Sequence, residues 1–402
     1  MRFHVLGLGS IGSLFAHQLR RVLPPTHSIT LIHKTKQQAR DAALKGSICV
    51  ENQGLVSTAS GFRSEVFEAP YLRPNPSTSQ DEAQQPETIS SLIVTTKAHQ
   101  TVPAIQRLLP RLSQDSTIVL LQNGMGIYEQ LVGSIFRNPQ HRPHFILASN
   151  THGAFLRGFY DVVHTGVGAI DFGIVPDPNG RDFEASLGDE NIPRSDRKLS
   201  LSDIGPPDND PASLRYASLR STVAALQLTE ALNTTWQSID HVQLAMRRKL
   251  VVNSVVNPLT AIMGCRNGDI FLSPSAERIM ERVCQEAAGA FSAQIRFETQ
   301  SWLDNLPLEE RAEDGERVDI GRIPPGLTKR SLMEEVKRVT EITKGNISST
   351  LSDVRKGRPT EIDYLNGYLL RLGKTYRLPM PCNATLLNLV KMRSAIPLDQ
   401  ML

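Results

Sequence analysis

The chain opens as short apolar runs separated by helical patterns and closes as helical patterns alone. Arg2–Gly7, Ser28–Ile32, Ser91–Thr96, Thr117–Leu121, Phe145–Asn150 and Val162–Gly166 are brief, mostly apolar runs rich in β-branched residues. Each reads as a strand, and Ser13–Arg21 after the first reads as a helix. Strands alternating with helices predict a doubly wound α/β sheet of Rossmann type. From about residue 239 the strand signals stop, and apolar positions recur at helical spacing to the end. The expected division is therefore 1–238, a nucleotide-binding sheet domain, and 239–402, an all-helical domain. Three stretches break the pattern: 72–90, 176–213 and 304–330 are rich in Pro, Ser, Asp, Asn or Glu. The first reads as a flexible surface insertion, the second as a disordered excursion and the third as a polar loop.

Within the helical half, polar residues are scarce and regularly placed from Arg247 to Thr260. Lys249, Asn253 and Asn257 recur every fourth residue among Val251, Val252, Val255 and Val256. On a helix each such step drifts by only about 40°, so the three share a face over roughly 12 Å. An ammonium and two amides on an otherwise apolar helix must find partners. Either they bond neighbouring backbone in a core, or they form the polar wall of a site with Lys249 as proton donor.

At the N-terminus, Gly7-Leu8-Gly9-Ser10-Ile11-Gly12 joins a strand to a helix. In that context the glycines make a tight turn, admit a pyrophosphate to the helix N-terminus and let helix and strand pack closely. A fold selecting NAD would end its second strand with an acid; here His33-Lys34-Thr35-Lys36 follows, which favours NADP(H). The alternative is a solvated basic turn. Lys97 and Asn123 stand at the carboxyl ends of later strands, where ligands gather in such sheets. His152, at a turn in Thr151–Ala154, is a candidate acid or base, or a structural histidine. Glu361 falls in the first turn of a helix expected to start at Thr360, just after Pro359. It is either a carboxylate at a helix dipole or a partner for Lys249 or a substrate hydroxyl.

At 402 residues the chain exceeds one core and suggests two or three domains. With 40% hydrophobic and 21% charged residues it has the composition of an ordinary globular protein. A net charge of +3 gives no case for nucleic acid, and no apolar run is long enough to span a bilayer. Cys49, Cys265, Cys284 and Cys382 are scattered and lack metal or CxxC spacing, so no metal site is expected. Scattered thiols and a strand starting directly after Met1 lead to an expected cytoplasmic setting, with no evident presequence.

Gly7–Gly12, Thr96-Lys97-Ala98, Asn123-Gly124-Met125-Gly126, Lys249–Thr260 and Ser348–Gly367 together resemble the ketopantoate reductase (2-dehydropantoate 2-reductase) family, in the family's order. The similarity covers most of the chain outside the three polar stretches, which resemble those of a eukaryotic, fungal-like member. It implies a Rossmann domain followed by a helical domain similar to the C-terminal domain of 6-phosphogluconate dehydrogenase, with the active site in the cleft between them. It also implies NADPH-dependent reduction of ketopantoate to pantoate, a step toward pantothenate and coenzyme A. By position, Lys249 matches the family's catalytic acid and Glu361 its catalytic carboxylate. Asn123, Lys249, Asn253, Asn257, Asn267 and Ser349 match substrate-binding residues. Gly7, Leu8, Gly9, Ser10, Ile11, Gly12, Lys97, Asn123, Ala154 and Glu361 match cofactor contacts. His33 and Lys34 stand where a single Arg is expected to meet the 2′-phosphate. The expected partner is a small keto acid, with neither nucleic acid nor membrane, for a monomer or homodimer. Two other readings stay open: a reductase of the same architecture for another keto acid, and a non-catalytic NADP(H)-binding regulator.

Overall fold

The computed structural model describes residues 1–67, 87–205, 213–306 and 322–396. The chain divides into two compact units, one of Met1–Asn123 with Ile127–Gln243, the other of Gly124–Gly126 with Leu244–Leu402. The division thus falls inside the helix Ile239–Met263, and three residues after the fourth apolar run, Gly124–Gly126, belong with the second unit.

The first unit is built on an eight-stranded sheet. Its strands are β1 (Arg2–Leu6), β2 (Ser28–His33), β5 (Phe62–Val66), β6 (Ser91–Val94), β7 (Thr117–Leu120), β8 (His144–Asn150), β11 (Ile170–Ile174) and β12 (Thr234–Trp236). Their order is β12-β11-β8-β7-β6-β1-β2-β5, parallel except where β8 meets β11. β6 and β7 are buried at every position because both faces are covered, which is why they read as unbroken apolar runs. β1 lies between β2 and β6, so the chain winds outward in both directions from the β1–β6 pair. At such a switch point the loops after the two strands diverge and leave a crevice.

A second sheet, order β4-β3-β10-β9, uses β3 (Ser47–Asn52), β4 (Leu55–Ser60), β9 (Gly153–Gly158) and β10 (Asp161–Gly166). It packs on the helix Ser10–Val22, which also lies on the first sheet. That helix is therefore buried beyond its apolar stripe, at Ser13, His17 and Gln18 as well. The His17 ring meets the Ser57 carbonyl at 3.2 Å, and burial lowers its pKa to about 4. Of this sheet only β10 was legible, because β3, β4 and β9 alternate weakly and β9 exposes Phe155 and Leu156.

The polar stretch 176–213 is not a disordered excursion where it is described. Phe183 and Ile204 are buried in the first unit's core, and the Tyr216 hydroxyl donates to Asp177 at 2.6 Å. Glu184 accepts the Ile239 N–H at 2.7 Å. The composition suggested disorder because so many residues are Asp, Ser and Asn. These cap successive turns: Asp203, for one, accepts from Ser200 N–H and from Ser186 Oγ. Residues 206–212 of that stretch lie outside the described residues, as do 72–86 of the expected insertion and 307–321 of the expected loop. The described end of the first stretch is tied in, with Ile89 buried and its N–H on the Arg111 carbonyl at 2.8 Å. Near the end of the third, Leu327 is fully buried in the turn Pro325–Leu327.

The second unit is helical: Ile239–Met263, Pro274–Asn305, Lys329–Ile342, Ser349–Arg355, Asn366–Thr375 and Pro381–Ala395. No strand follows Trp236 among the described residues. Its core joins Val251, Val252, Val255 and Val256 to Met280, Val283 and Phe291 of the next long helix and to Leu332 and Val336.

Candidate active site

The first unit carries the elements suited to a dinucleotide. Gly9 precedes the helix Ser10–Val22, is exposed, and a Cβ built there would meet nothing within 4 Å. The first helical bond runs from Ser13 N–H to the Gly9 carbonyl, so the preceding N–H groups have no acceptor within the helix. At Gly12 a Cβ would lie 2.0 Å from the Gly7 carbonyl oxygen, so helix and turn touch as only glycine allows. An open approach and a cluster of N–H groups at a helix N-terminus fit a pyrophosphate. Leu8 and Ile11 are half-buried against the core, and Ser10 begins the helix.

The turn after β2 is less basic than its sequence suggests. His33 is buried, with its Nε2 3.3 Å from the Ser64 hydroxyl, and burial holds its pKa at about 4. It is neutral at pH 7 and is not one of the turn's cations. Lys34 and Lys36 are exposed, and the Lys34 ammonium donates to Gln100 Oε1 at 3.1 Å. Lys97 immediately precedes the helix Ala98–Leu108 at the end of β6, and Asn123 follows β7; both are half-buried. Ala154 is in a strand, the second residue of β9, opposite His164. His152 is fully engaged: Nε2 donates to the Leu232 carbonyl at 2.9 Å, and Nδ1 accepts from Gly168 N–H at 3.0 Å. His164 Nε2 also faces that Nδ1, at 3.0 Å. The ring has no free nitrogen for acid–base work, and burial lowers its pKa. Sequence reasoning passed over Gln122, whose amide donates to the Thr96 carbonyl at 3.0 Å and ties the ends of β6 and β7.

The second unit gathers the polar set predicted for chemistry. Lys249, Asn253 and Asn257 lie along the helix Ile239–Met263, the first two half-buried and the third buried. Burial lowers the Lys249 pKa from 10.5 to about 8, against the opposing pull of the Glu361 carboxylate. Glu361 is buried but starts no α-helix. Pro359 is followed by a single 3-10 turn, Ile362–Tyr364, with Glu361 as its N-cap, and the α-helix begins only at Asn366. Asn257 Nδ2 reaches Ser349 Oγ at 3.5 Å. Ser348 caps the helix Ser349–Arg355, accepting from Leu351 N–H at 3.1 Å, and Thr260 Oγ1 donates to the same hydroxyl at 2.7 Å. That pair docks the Ser349 helix against the Lys249 helix. Asn267 is buried just beyond, its Nδ2 on Thr343 Oγ1 at 3.1 Å and its Oδ1 without a partner among the described residues.

Chemically, this is a perturbed ammonium beside a buried carboxylate, with neutral donors spaced along the same helix. No group of acids, histidines or cysteines suited to a metal occurs among the described residues.

Comparison with known proteins agrees with this picture. Residues 3–177 match the family model described as ketopantoate reductase PanE/ApbA, and 241–394 match its C-terminal model. A probable 2-dehydropantoate 2-reductase of Schizosaccharomyces pombe is 26% identical over 97% of this chain and 95% of its own. A PanE/ApbA family ketopantoate reductase from Ralstonia eutropha has the same fold, with a TM-score of 0.64 at 19% identity over 98% of this chain and 99% of that one. So does a D-mandelate dehydrogenase solved with NADH and anilino(oxo)acetate, with a TM-score of 0.65 at 17% identity over 98% of both chains. A glycine turn suited to a dinucleotide, a lysine–glutamate pair on a helical unit, and family models covering both units lead to one conclusion: this chain belongs to the ketopantoate reductase family of oxidoreductases.

Proposed function

We propose that this chain is a 2-dehydropantoate 2-reductase that uses NADPH to form pantoate. The observation that carries the reading is the Lys249–Glu361 pair, an ammonium brought by burial to a pKa of about 8 and opposed by one carboxylate. Reducing a 2-keto acid adds a hydride to carbon and a proton to oxygen. When bound, the reduced nicotinamide supplies the hydride. Gly7–Gly12 would hold the pyrophosphate, and Lys34 and Lys36 would meet a 2′-phosphate; no acid stands after β2 to prefer a free ribose hydroxyl. Lys97, Asn123 and Ala154 complete the proposed dinucleotide contacts.

Lys249 donates the proton to the keto oxygen. At pH 7 it is mostly charged, yet releases its proton more readily than an exposed lysine, as a general acid requires. Its charge also stabilises the oxygen as negative charge develops there. Glu361 keeps the ammonium charged and accepts from a substrate hydroxyl. Asn253, Asn257 and Ser349 donate to the carboxylate without adding charge. The buried Asn267 Oδ1 takes a hydroxyl donor. Four cysteines, all free, suit a reducing compartment such as the cytoplasm. No helix among the described residues is long and apolar enough to cross a membrane.

The test is NADPH oxidation by the purified chain with ketopantoate and a panel of other 2-keto acids. The proposal expects ketopantoate to have the highest kcat/KM. Comparable turnover of several acids, with ketopantoate undistinguished, would favour a reductase of the same architecture for another keto acid. Tight NADPH binding without any turnover would instead support a non-catalytic regulator.

A further inference from the structure

Glu361 must stay beside Lys249, yet little around it is regular. The residues before it, Arg355–Pro359, are exposed, and the 3-10 turn that follows is three residues long. Tyr364 ends that turn, with its N–H on the Glu361 carbonyl at 2.9 Å. Leu365 then adopts φ −106° and ψ −101°, so the next helix starts in a new register and takes its first bonds on the Leu365 carbonyl. The Tyr364 carbonyl falls between the two elements and receives the N–H of Met125 at 3.1 Å.

Met125 comes from far away in sequence, in the three residues after Asn123 that belong to this unit. Its side chain is buried in the same core as Leu365 and Tyr368. The glycines on either side make the approach possible. Gly124 has φ +83°, and a Cβ there would lie 2.7 Å from the Tyr364 carbonyl oxygen. Gly126 has φ +97°, and a Cβ there would lie 3.0 Å from the Tyr368 ring and 3.1 Å from Arg371 Nη2. Both positions favour glycine in backbone and leave no room for a side chain. Arg371 closes the arrangement: its Nη1 donates to the Asp363 carbonyl at 3.0 Å, and its guanidinium lies over the Tyr364 and Tyr368 rings.

We propose that Gly124-Met125-Gly126 is a clip that fixes the Glu361–Leu365 turn, making Met125 and Arg371 positioning residues for Glu361. The inference rests on the proposed pairing of Glu361 with Lys249. Met125 has no part in the chemistry itself in this scheme. It acts through the Tyr364 carbonyl, two bonded links from the Glu361 backbone. Loosening the clip lets the carboxylate drift from the ammonium, and the loss is read at Lys249.

The test is a titration of Lys249 in the intact chain by ε-13C-lysine NMR, its signal assigned by absence in Lys249→Arg. Met125→Ala should move the Lys249 titration to lower pH by about one pH unit, the direction of Glu361→Gln, because an opposing charge has moved away. Met125→Leu, which refills the core, should return it to the wild-type value. Arg371→Met, which keeps the stem and removes the Asp363 bond, should shift it in the same direction by less. If Met125→Ala and Arg371→Met lower Tm but leave the Lys249 titration unmoved, the clip is packing alone and the inference fails. If Glu361→Gln itself leaves Lys249 unmoved, the pairing beneath it fails as well. Ketopantoate turnover by the wild type, measured separately, tests the functional proposal without bearing on either result.

Discussion

Asn366 Nδ2 donates to the carbonyl of Ser254 at 2.9 Å, the carbonyl that Pro258 leaves without its helical partner. A proline in the helix interior has no N–H to give the residue four before it. Asn366 is fully buried and supplies that donor from another helix, while also donating to Asn383 Oδ1 at 2.9 Å. Asn383 Nδ2 in turn donates to Glu286, whose carboxylate accepts Cys382 N–H and Asn383 N–H at the start of the helix Pro381–Ala395. A chain of bonded polar groups therefore supports the helix between Asn253 and Asn257.

Asn366→Leu should destabilise the chain by about 1–3 kcal/mol, the cost of leaving a buried acceptor unmade. Urea unfolding measures it. Pro258→Ala gives Ser254 a helical donor, so Asn366→Leu should cost less in that background. Equal costs in both backgrounds would separate Asn366 from the proline.

The described part of 176–213 is structural, and deleting it should be damaging. Phe183 is buried among first-unit core residues, so Phe183→Ala should cost about 3–5 kcal/mol by the cavity it leaves. Thermal unfolding checks this, and a Tm within a degree or two of wild type would contradict it.

Much of the fold was legible because parallel strands buried on both faces must be apolar throughout, and β6 and β7 are. The second sheet was not, because an outer face open to solvent breaks the apolar pattern at β3, β4 and β9. The candidate site was legible where spacing suggests chemistry, in Gly7–Gly12 and in Lys249, Asn253 and Asn257. It was illegible where long-range partners decide. Nothing near His33 announced that Ser64 and Tyr160 would enclose it, and nothing near Pro258 named Asn366. Gly124 and Gly126 were visible as glycines, but their reason, the backbone of Tyr364, lies more than two hundred residues away.

Cofactor choice should rest on Lys34 and Lys36. The Kd of the purified chain for NADPH should be well below that for NADH, and Lys34→Ala should weaken NADPH binding by about 5- to 150-fold. NADH binding should barely change. Equal weakening of both dinucleotides would place Lys34 away from the 2′-phosphate.

The Lys249 pKa also has consequences for pH. The folded value, about 8, lies below the ordinary 10.5, so between them the folded state holds fewer protons than the unfolded. Stability then rises with pH across that window as the buried charge is released. Below pH 8 the burial cost is fully present, so Lys249→Met should raise Tm at pH 7. Removing the lysine should gain up to about 3 kcal/mol, less whatever Glu361 loses with its partner. A lower Tm for Lys249→Met would show the ammonium to be net stabilising.

The proton donor is the centre of the account, and Lys249→Ala tests it most directly. Steady-state kinetics with ketopantoate and NADPH, alongside the Kd for NADPH of the free protein, separate chemistry from binding. The expected result is a fall in kcat of about 10²–10⁴-fold, the usual cost of losing a positioned acid, because the charge is needed most in the transition state. NADPH binding should stay within about 2-fold, because the proposed dinucleotide contacts lie elsewhere than Lys249. A mutant with wild-type kcat would contradict the account and remove Lys249 from the reaction.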